Sequence, residues 1–121
     1  MEYIGIQFTE VGPAYLKATM PVDHRTVQPM RILHGGAYVV LAETLGSVAG
    51  NRCLDPDKAY AVGLSINSSH IRAAREGQQV EGVVRALHLG RSTQVWEIHI
   101  HDEKGRLMNT SRLTMAVLPR K

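Results

Sequence analysis

Apolar and polar positions along this chain follow two different periods. From Gly36 to Gly50 the apolar side chains recur at three- and four-residue spacings, and Gly50-Asn51 offers a stop, which predicts one long helix. Elsewhere the chain reads as strand. Tyr15–Val22 alternates loosely and runs into a proline, and Tyr60–Arg72, Gln79–Leu89, Thr93–Asp102 and Arg106–Leu118 have the composition of strands. Within Thr93–Asp102, Trp96, Ile98 and Ile100 share one face while Glu97, His99 and His101 share the other. Pro21–Met30 reads as a loop, Asp55-Pro56-Asp57 as a turn, and Glu103-Lys104-Gly105-Arg106 as the turn of a last hairpin. The predicted order is a strand, a long helix and four more strands. So apolar a helix is buried only if the antiparallel sheet curls around it, an α+β architecture in a single domain over residues 1–121.

The helix carries one chemical anomaly. Between Ile32 and Gly50, His34 aside, the only residue charged at neutral pH is Glu43. Burying that carboxylate among Val39, Val40, Leu41, Leu45 and Val48 is expensive without a polar partner or a cavity. His34-Gly35-Gly36 opens the helix, and the paired glycines leave bare N–H groups at its positive end. A lone acid and an anion-accepting backbone are suited to attack on a carbonyl. Yet Gly35 and Glu43 stand eight positions apart, or ~12 Å along a helix axis, and a glutamate leaning back recovers only part of that. Two antiparallel copies of the helix would bring Gly35 of one chain near Glu43 of the other, which predicts composite sites in a homodimer.

Composition narrows the class. The formal charge is +3, the basic residues are scattered, and 5% aromatics leave little to stack on bases, which argues against nucleic acid. Arg72, Arg75, Arg85 and Arg91 would suit either a phosphate-bearing small ligand or a solvated surface. One cysteine, Cys53, rules out an internal disulfide framework and fits a reducing compartment. MEYIGIQFTE lacks an apolar core for a signal peptide, and the Val39–Leu45 run is too short to span a bilayer, so the expectation is a cytoplasmic protein that leaves membranes alone. His99-x-His101 offers two imidazoles on one face without a third ligand, so no metal is expected. No G-x-S-x-G elbow occurs.

QPMRILHGGAYVVLAETLGSVAGN, followed by VGLSINSSHIRAAREG and LHLGRSTQVWEIHI, resembles the hotdog-fold acyl-CoA thioesterases. The resemblance is greatest to the branch holding the 1,4-dihydroxy-2-naphthoyl-CoA, enterobactin-pathway proofreading and phenylacetate-degradation thioesterases. It implies hydrolysis of an acyl-CoA, with an aromatic or medium acyl group, and no cofactor beyond the coenzyme A of the substrate. By position it implies Glu43 as the catalytic carboxylate, either general base or nucleophile. Gly35 N–H would be the oxyanion donor, His34 would position or polarise the thioester, and Gln28 would hold the thioester or the water. Ser47, one turn after Glu43, would contact the carboxylate or water, or simply bond back to its own helix. His70 and Arg72 match the acyl and pantetheine path, and His88, Gly90, Arg91 and Ser92 match the loop that grips coenzyme A. Dimer-interface sites and pairing of dimers into a homotetramer are also implied.

The chain departs from that pattern at Met30 and Arg31, where Phe and Gly are usual, at Tyr38, where a small residue is usual, and at Ser65. Arg31 would crowd or charge the acyl entrance, and Tyr38 would shorten the pocket or offer a phenol to an aromatic acyl group. Other uses of the same fold are release from an acyl or aryl carrier protein, a non-catalytic acyl-CoA-binding module, and a hydratase needing a differently placed His–acid pair.

Overall fold

The computed structural model describes residues 4–12 and 15–121. The reading of the first residues as a non-signal segment therefore falls partly on Met1–Tyr3, outside the described residues. Six strands and one helix follow in the order β1 (Gln7–Val11), β2 (Tyr15–Pro21), α1 (Gly35–Arg52), β3 (Ala59–His70), β4 (Gln79–Leu89), β5 (Thr93–His101) and β6 (Leu107–Pro119). They form one antiparallel sheet in the order β1-β2-β4-β5-β6-β3, with α1 packed on one face.

β2, β4, β5 and β6 become strands because each has one face to bury, whereas β3 buries only Ala61 and is held by its pairing with β6. Leu16, Ala18 and Met20 of β2, Val80 and Val84 of β4, Trp96, Ile98 and Ile100 of β5, and Leu113 and Met115 of β6 are all buried beneath the helix. Tyr38, Leu41, Ala42, Leu45 and Ala49 of α1 meet them. Glu97, His99 and His101 take the outer face, His99 Nε2 lying 3.8 Å from Glu97 Oε2.

Two expectations are corrected. The sheet has a sixth strand, β1, which pairs with β2 across a bulge. Every residue of β1 is exposed, so its edge position leaves no buried face and no alternation to read. The second correction concerns Glu43, which is exposed rather than enclosed. A single sheet covers only one side of the helix, and Val40 (38% exposed), Glu43 and Ser47 lie along the other.

Two polar contacts tie the C-terminal half of the helix in place. Gln94, 2% exposed, donates from Nε2 to Gly50 O (3.1 Å) and accepts Trp96 Nε1–H (3.0 Å). Asn51 reaches β3, donating to Ala61 O (3.1 Å) and accepting Ala61 N–H (2.8 Å). Those two groups of Ala61 lie on the open edge of β3, so Asn51 closes that edge at Ala61, and among the described residues no strand pairs with the outer edge of Val62–His70.

Close approach at Gly50 is what makes the Gln94 brace possible. A Cβ there would overlap Gln94 Oε1 and stand 2.9 Å from Met115 Sδ. Although alanine is the better helix former, Gly50→Ala is expected to lower unfolding free energy by about 1–3 kcal/mol through overpacking. Urea unfolding followed by circular dichroism measures this.

Candidate active site

The loop before α1 is braced so that it delivers His34 in a fixed pose. Arg25 holds Asp23 at 2.7 Å, and the Arg25 side-chain hydrogen bond is the main cause that lowers the Asp23 carboxyl to a pKa of about 2. Thr26 Oγ1 donates to Pro21 O (3.0 Å), and Thr26 O accepts His34 N–H (2.7 Å). Arg31 adopts φ 66°, in the left-handed region that costs a non-glycine residue roughly 1–2 kcal/mol. Its side chain turns to solvent and pairs with Glu76 at 2.7 Å. Arg31 is not among the residues that line the cavity at Gly35.

His34 caps α1. Its Nδ1 accepts the Gly36 N–H at 2.9 Å, which puts the proton of the neutral ring on Nε2. Ala37 N–H goes to His34 O (2.9 Å), while no partner for Gly35 N–H stands among the described residues. That amide lies at the positive end of the helix.

Gly35 opens onto a cavity of about 530 Å³ that Gln28, His34, His70 and Arg72 also line. Gln28 Oε1 is occupied by Met30 N–H, which leaves the amide protons as its free polar end. The polar groups available to an occupant are thus mainly donors, suited to a carbonyl oxygen that gains negative charge. Ile32, Leu33, Tyr38, Ile71 and Ala73 supply the apolar wall.

Tyr38 does form part of the pocket, as a wall rather than as a free phenol. Its ring stacks on His70 (centroids 5.7 Å, planes 26° apart) and its O–H donates to Arg72 O at 3.2 Å. Burial pushes its pKa up to about 12, against a smaller lowering from the Ala74 backbone.

Glu43 lies elsewhere. It borders a second cavity of about 360 Å³ with Thr44, Ser47, Val48 and Gly63. Ser47 therefore shares the carboxylate's surroundings, as its spacing predicts. His88, near the end of β4, and Gly90, Arg91 and Ser92 of the β4–β5 connection border neither cavity. That connection is closed by Gly90 N–H to Thr93 O (2.8 Å) and held to β6 by Val117 N–H to Ser92 O (2.9 Å). One chain therefore assembles Gln28, His34, Gly35, His70 and Arg72 in one place, Glu43 and Ser47 in another, and the loop in a third.

Comparison with known proteins gives this arrangement its family. The sequence model of the family described as Thioesterase superfamily matches residues 30–109. The chain belongs to the thioesterase superfamily. It is 56% identical over 116 residues to the 1,4-dihydroxy-2-naphthoyl-CoA hydrolase of Escherichia coli (strain K12), covering 96% of this chain and 84% of that protein. It is 53% identical over 118 residues to the proofreading thioesterase EntH of Cronobacter turicensis, with 98% and 85% covered. The crystal structure of thioesterase HI1161 from Haemophilus influenzae superposes with a TM-score of 0.92 at 46% identity, over 97% of this chain and 80% of that one. The fold is the hotdog of these thioesterases, and the protein is a thioester hydrolase. Among the described residues, no helix is long and apolar enough to cross a membrane.

Reading the sequence passed over Ser68, Asn109 and Ser111, which meet behind His70. The available signal was a polar residue at inward positions of β6, where Asn109 and Ser111 precede Leu113 and Met115 in one buried register.

The raised Tyr38 phenol makes a stability prediction. Because the folded pKa (about 12) exceeds the ordinary 10.0, the neutral phenol's contribution is complete below pH 10 and is lost as pH rises through about 12. Tm should therefore fall more steeply across this window in wild type than in Tyr38→Phe, which thermal melts at stepped pH would register.

Proposed function

We propose that this thioesterase hydrolyses acyl-coenzyme A, with an aromatic or medium-length acyl group, at composite sites shared between two copies of the chain. The observation that carries the reading is the division of chemistry between two cavities. Donors gather around Gly35 in one, and the only carboxylate of the helix borders the other.

The free edge of β3 supplies a way to join them. Asn51 closes the edge at Ala61, so Val62–His70 is open to antiparallel pairing with another β3. A two-fold axis at the middle of that stretch, Ile66, sets Gly63 opposite Ser69 of the partner subunit. Gly63 borders the Glu43 cavity, and Ser69 immediately precedes His70. The same pairing covers Val40, Val62 and Leu64, which are exposed apolar residues on the single chain.

In the proposed mechanism Glu43 activates water as a general base, worth ~10²–10⁴-fold, or attacks the thioester itself. Gly35 N–H receives the carbonyl oxygen as it becomes an oxyanion, worth on the order of 10²–10³-fold. His34 Nε2–H polarises the same carbonyl, and Gln28 orients thioester or water with its amide. Ser47 contacts the carboxylate or its water. His70 and Arg72 flank the acyl and pantetheine path, and His88, Gly90, Arg91 and Ser92 grip the coenzyme A. The reaction consumes water and requires no resident cofactor. We further propose that dimers pair into tetramers and that the protein works in the cytoplasm.

Free-thiol release from benzoyl-, 1,4-dihydroxy-2-naphthoyl-, hexanoyl- and palmitoyl-CoA tests the reaction. Glu43→Gln is expected to lower kcat by ~10²-fold or more. Equimolar mixing and refolding of Glu43→Gln with His34→Ala should restore about a quarter of wild-type activity, since half the dimers are mixed and each holds one intact site. No restoration would place both lesions in one chain's site. Turnover of an acylated carrier protein but of no acyl-CoA would move the substrate to the carrier, and binding without turnover would make the protein an acyl-CoA-binding module.

A further inference from the structure

The donor-lined cavity contains a ring whose protonation pattern is fixed from behind. Asn109 is fully buried and Ser111 is 3% exposed. Asn109 Nδ2 stands 3.0 Å from Ser68 Oγ and 2.9 Å from His70 Nδ1, and Asn109 Oδ1 accepts the Ser111 hydroxyl at 2.8 Å. The two serine oxygens are 2.8 Å apart. Ser111 has one proton and gives it to Asn109, so Ser68 supplies the proton between the hydroxyls. The result is a closed ring in which Asn109 gives to Ser68, Ser68 to Ser111, and Ser111 to Asn109.

Proton counting then decides the orientation of the amide. As placed, Asn109 spends one Nδ2 proton on Ser68 and has the second for His70, and every buried donor finds an acceptor. Turned over, Oδ1 would face Ser68 and His70 while Nδ2 met Ser111 alone. One amide proton would then be buried without an acceptor, a situation native interiors avoid. With the amide held this way, a proton on His70 Nδ1 would face another N–H. Nδ1 must therefore be bare, and the neutral ring carries its proton on Nε2.

The rest of the ring is fixed as well. Tyr38 stacks on its face at 5.7 Å. Its Nε2 stands over Gly35, where a Cβ would come within 3.0 Å of it. His34 reaches the same tautomer independently, through Gly36 N–H at its own Nδ1.

We infer that Ser68, Asn109 and Ser111 form a clamp that fixes His70 as the Nε2–H tautomer and presents that N–H beside Gly35 to the group bound in the cavity. Asn109 is thus a positioning residue that acts through His70. The catalytic consequence rests on the thioesterase site proposed above, whereas the tautomer itself does not. A cavity whose polar groups are N–H donors selects an oxygen that only accepts, such as a thioester carbonyl, over a hydroxyl that must also donate.

Long-range proton–nitrogen correlation NMR on the intact protein, with His70→Gln to assign the ring, tests the clamp directly. The expected spectrum shows a bare Nδ1 and a protonated Nε2, and the reverse pattern overturns the clamp whether or not any thioester is hydrolysed. In Asn109→Asp the new carboxylate accepts Nδ1–H, so the pattern should shift toward a protonated Nδ1. With an acyl-CoA that the wild type hydrolyses, kcat should fall at least about tenfold with KM little changed. In a His70→Ala background the same substitution should cost nothing further; an equal fall there would show that Asn109 acts on the fold alone and would overturn its positioning role. Should Asn109→Asp not fold, Ser111→Ala removes the proton that pins Oδ1, and a mixture of His70 tautomers is then expected. An unchanged single tautomer in that variant counts against the clamp.

Discussion

One helix must cover a six-stranded sheet, and the fit between them sets where every polar group of this protein lies. Leu41, Leu45 and Ala49 enter the sheet face, and at Gly50 the helix backbone comes close enough for Gln94 to grip its carbonyl. With its C-terminal half fixed by Gln94 and Asn51, the helix has no freedom to rotate. Its N-terminus therefore stands against the end of β3, where His70 meets Gly35, and its uncovered face carries Val40, Glu43 and Ser47 outward. A rotation of one residue, about 100°, would bury Glu43 and expose part of the core.

The same geometry separates acid from donors. A helix rises ~1.5 Å per residue, and no rotamer of Glu43 closes the distance back to Gly35. The division into two cavities is thus a consequence of placing both groups on one straight element. It also keeps the carboxylate away from the N–H cluster of its own chain, which would otherwise bind it as an anion at the helix terminus. Around Gly35 the chain invests in oriented imidazoles: His34 and His70 each have a nitrogen engaged from behind, one by a backbone amide and one by a buried asparagine. Fixed N–H donors bind an acceptor more strongly as negative charge develops on it, which is the requirement of acyl transfer.

Departures from the resemblance acquire physical meanings once the backbone is seen. Arg31 occupies a left-handed conformation, which a glycine would adopt without strain. Tyr38 exchanges a small residue for a buried ring that both bounds the cavity and supports His70, with its hydroxyl spent on Arg72 O. Neither consequence is visible in residue type alone, because φ and the direction of a phenol are set by neighbours distant in sequence.

Periodicity and composition together determined the helix, five of the strands and the inward set Trp96, Ile98 and Ile100, since a face that must be buried writes its period into the sequence and a strand without one still carries β-type residues. The order His34-Gly35-Gly36 and the isolation of Glu43 likewise marked the chemistry, and helix rise alone said that the two could not easily serve one carbonyl. Tertiary structure decided the rest. β1 has no buried face, so its strand exists only through pairing with β2. Glu43 is exposed because one sheet covers one side of a helix, a fact of packing that no count of apolar neighbours contains. Ser68, Asn109 and Ser111 are ordinary polar residues until the β3–β6 register sets Ser68 against Ser111 and His70 against Asn109, and only that register turns them into a hydrogen-bonded ring with one proton to spare for a histidine.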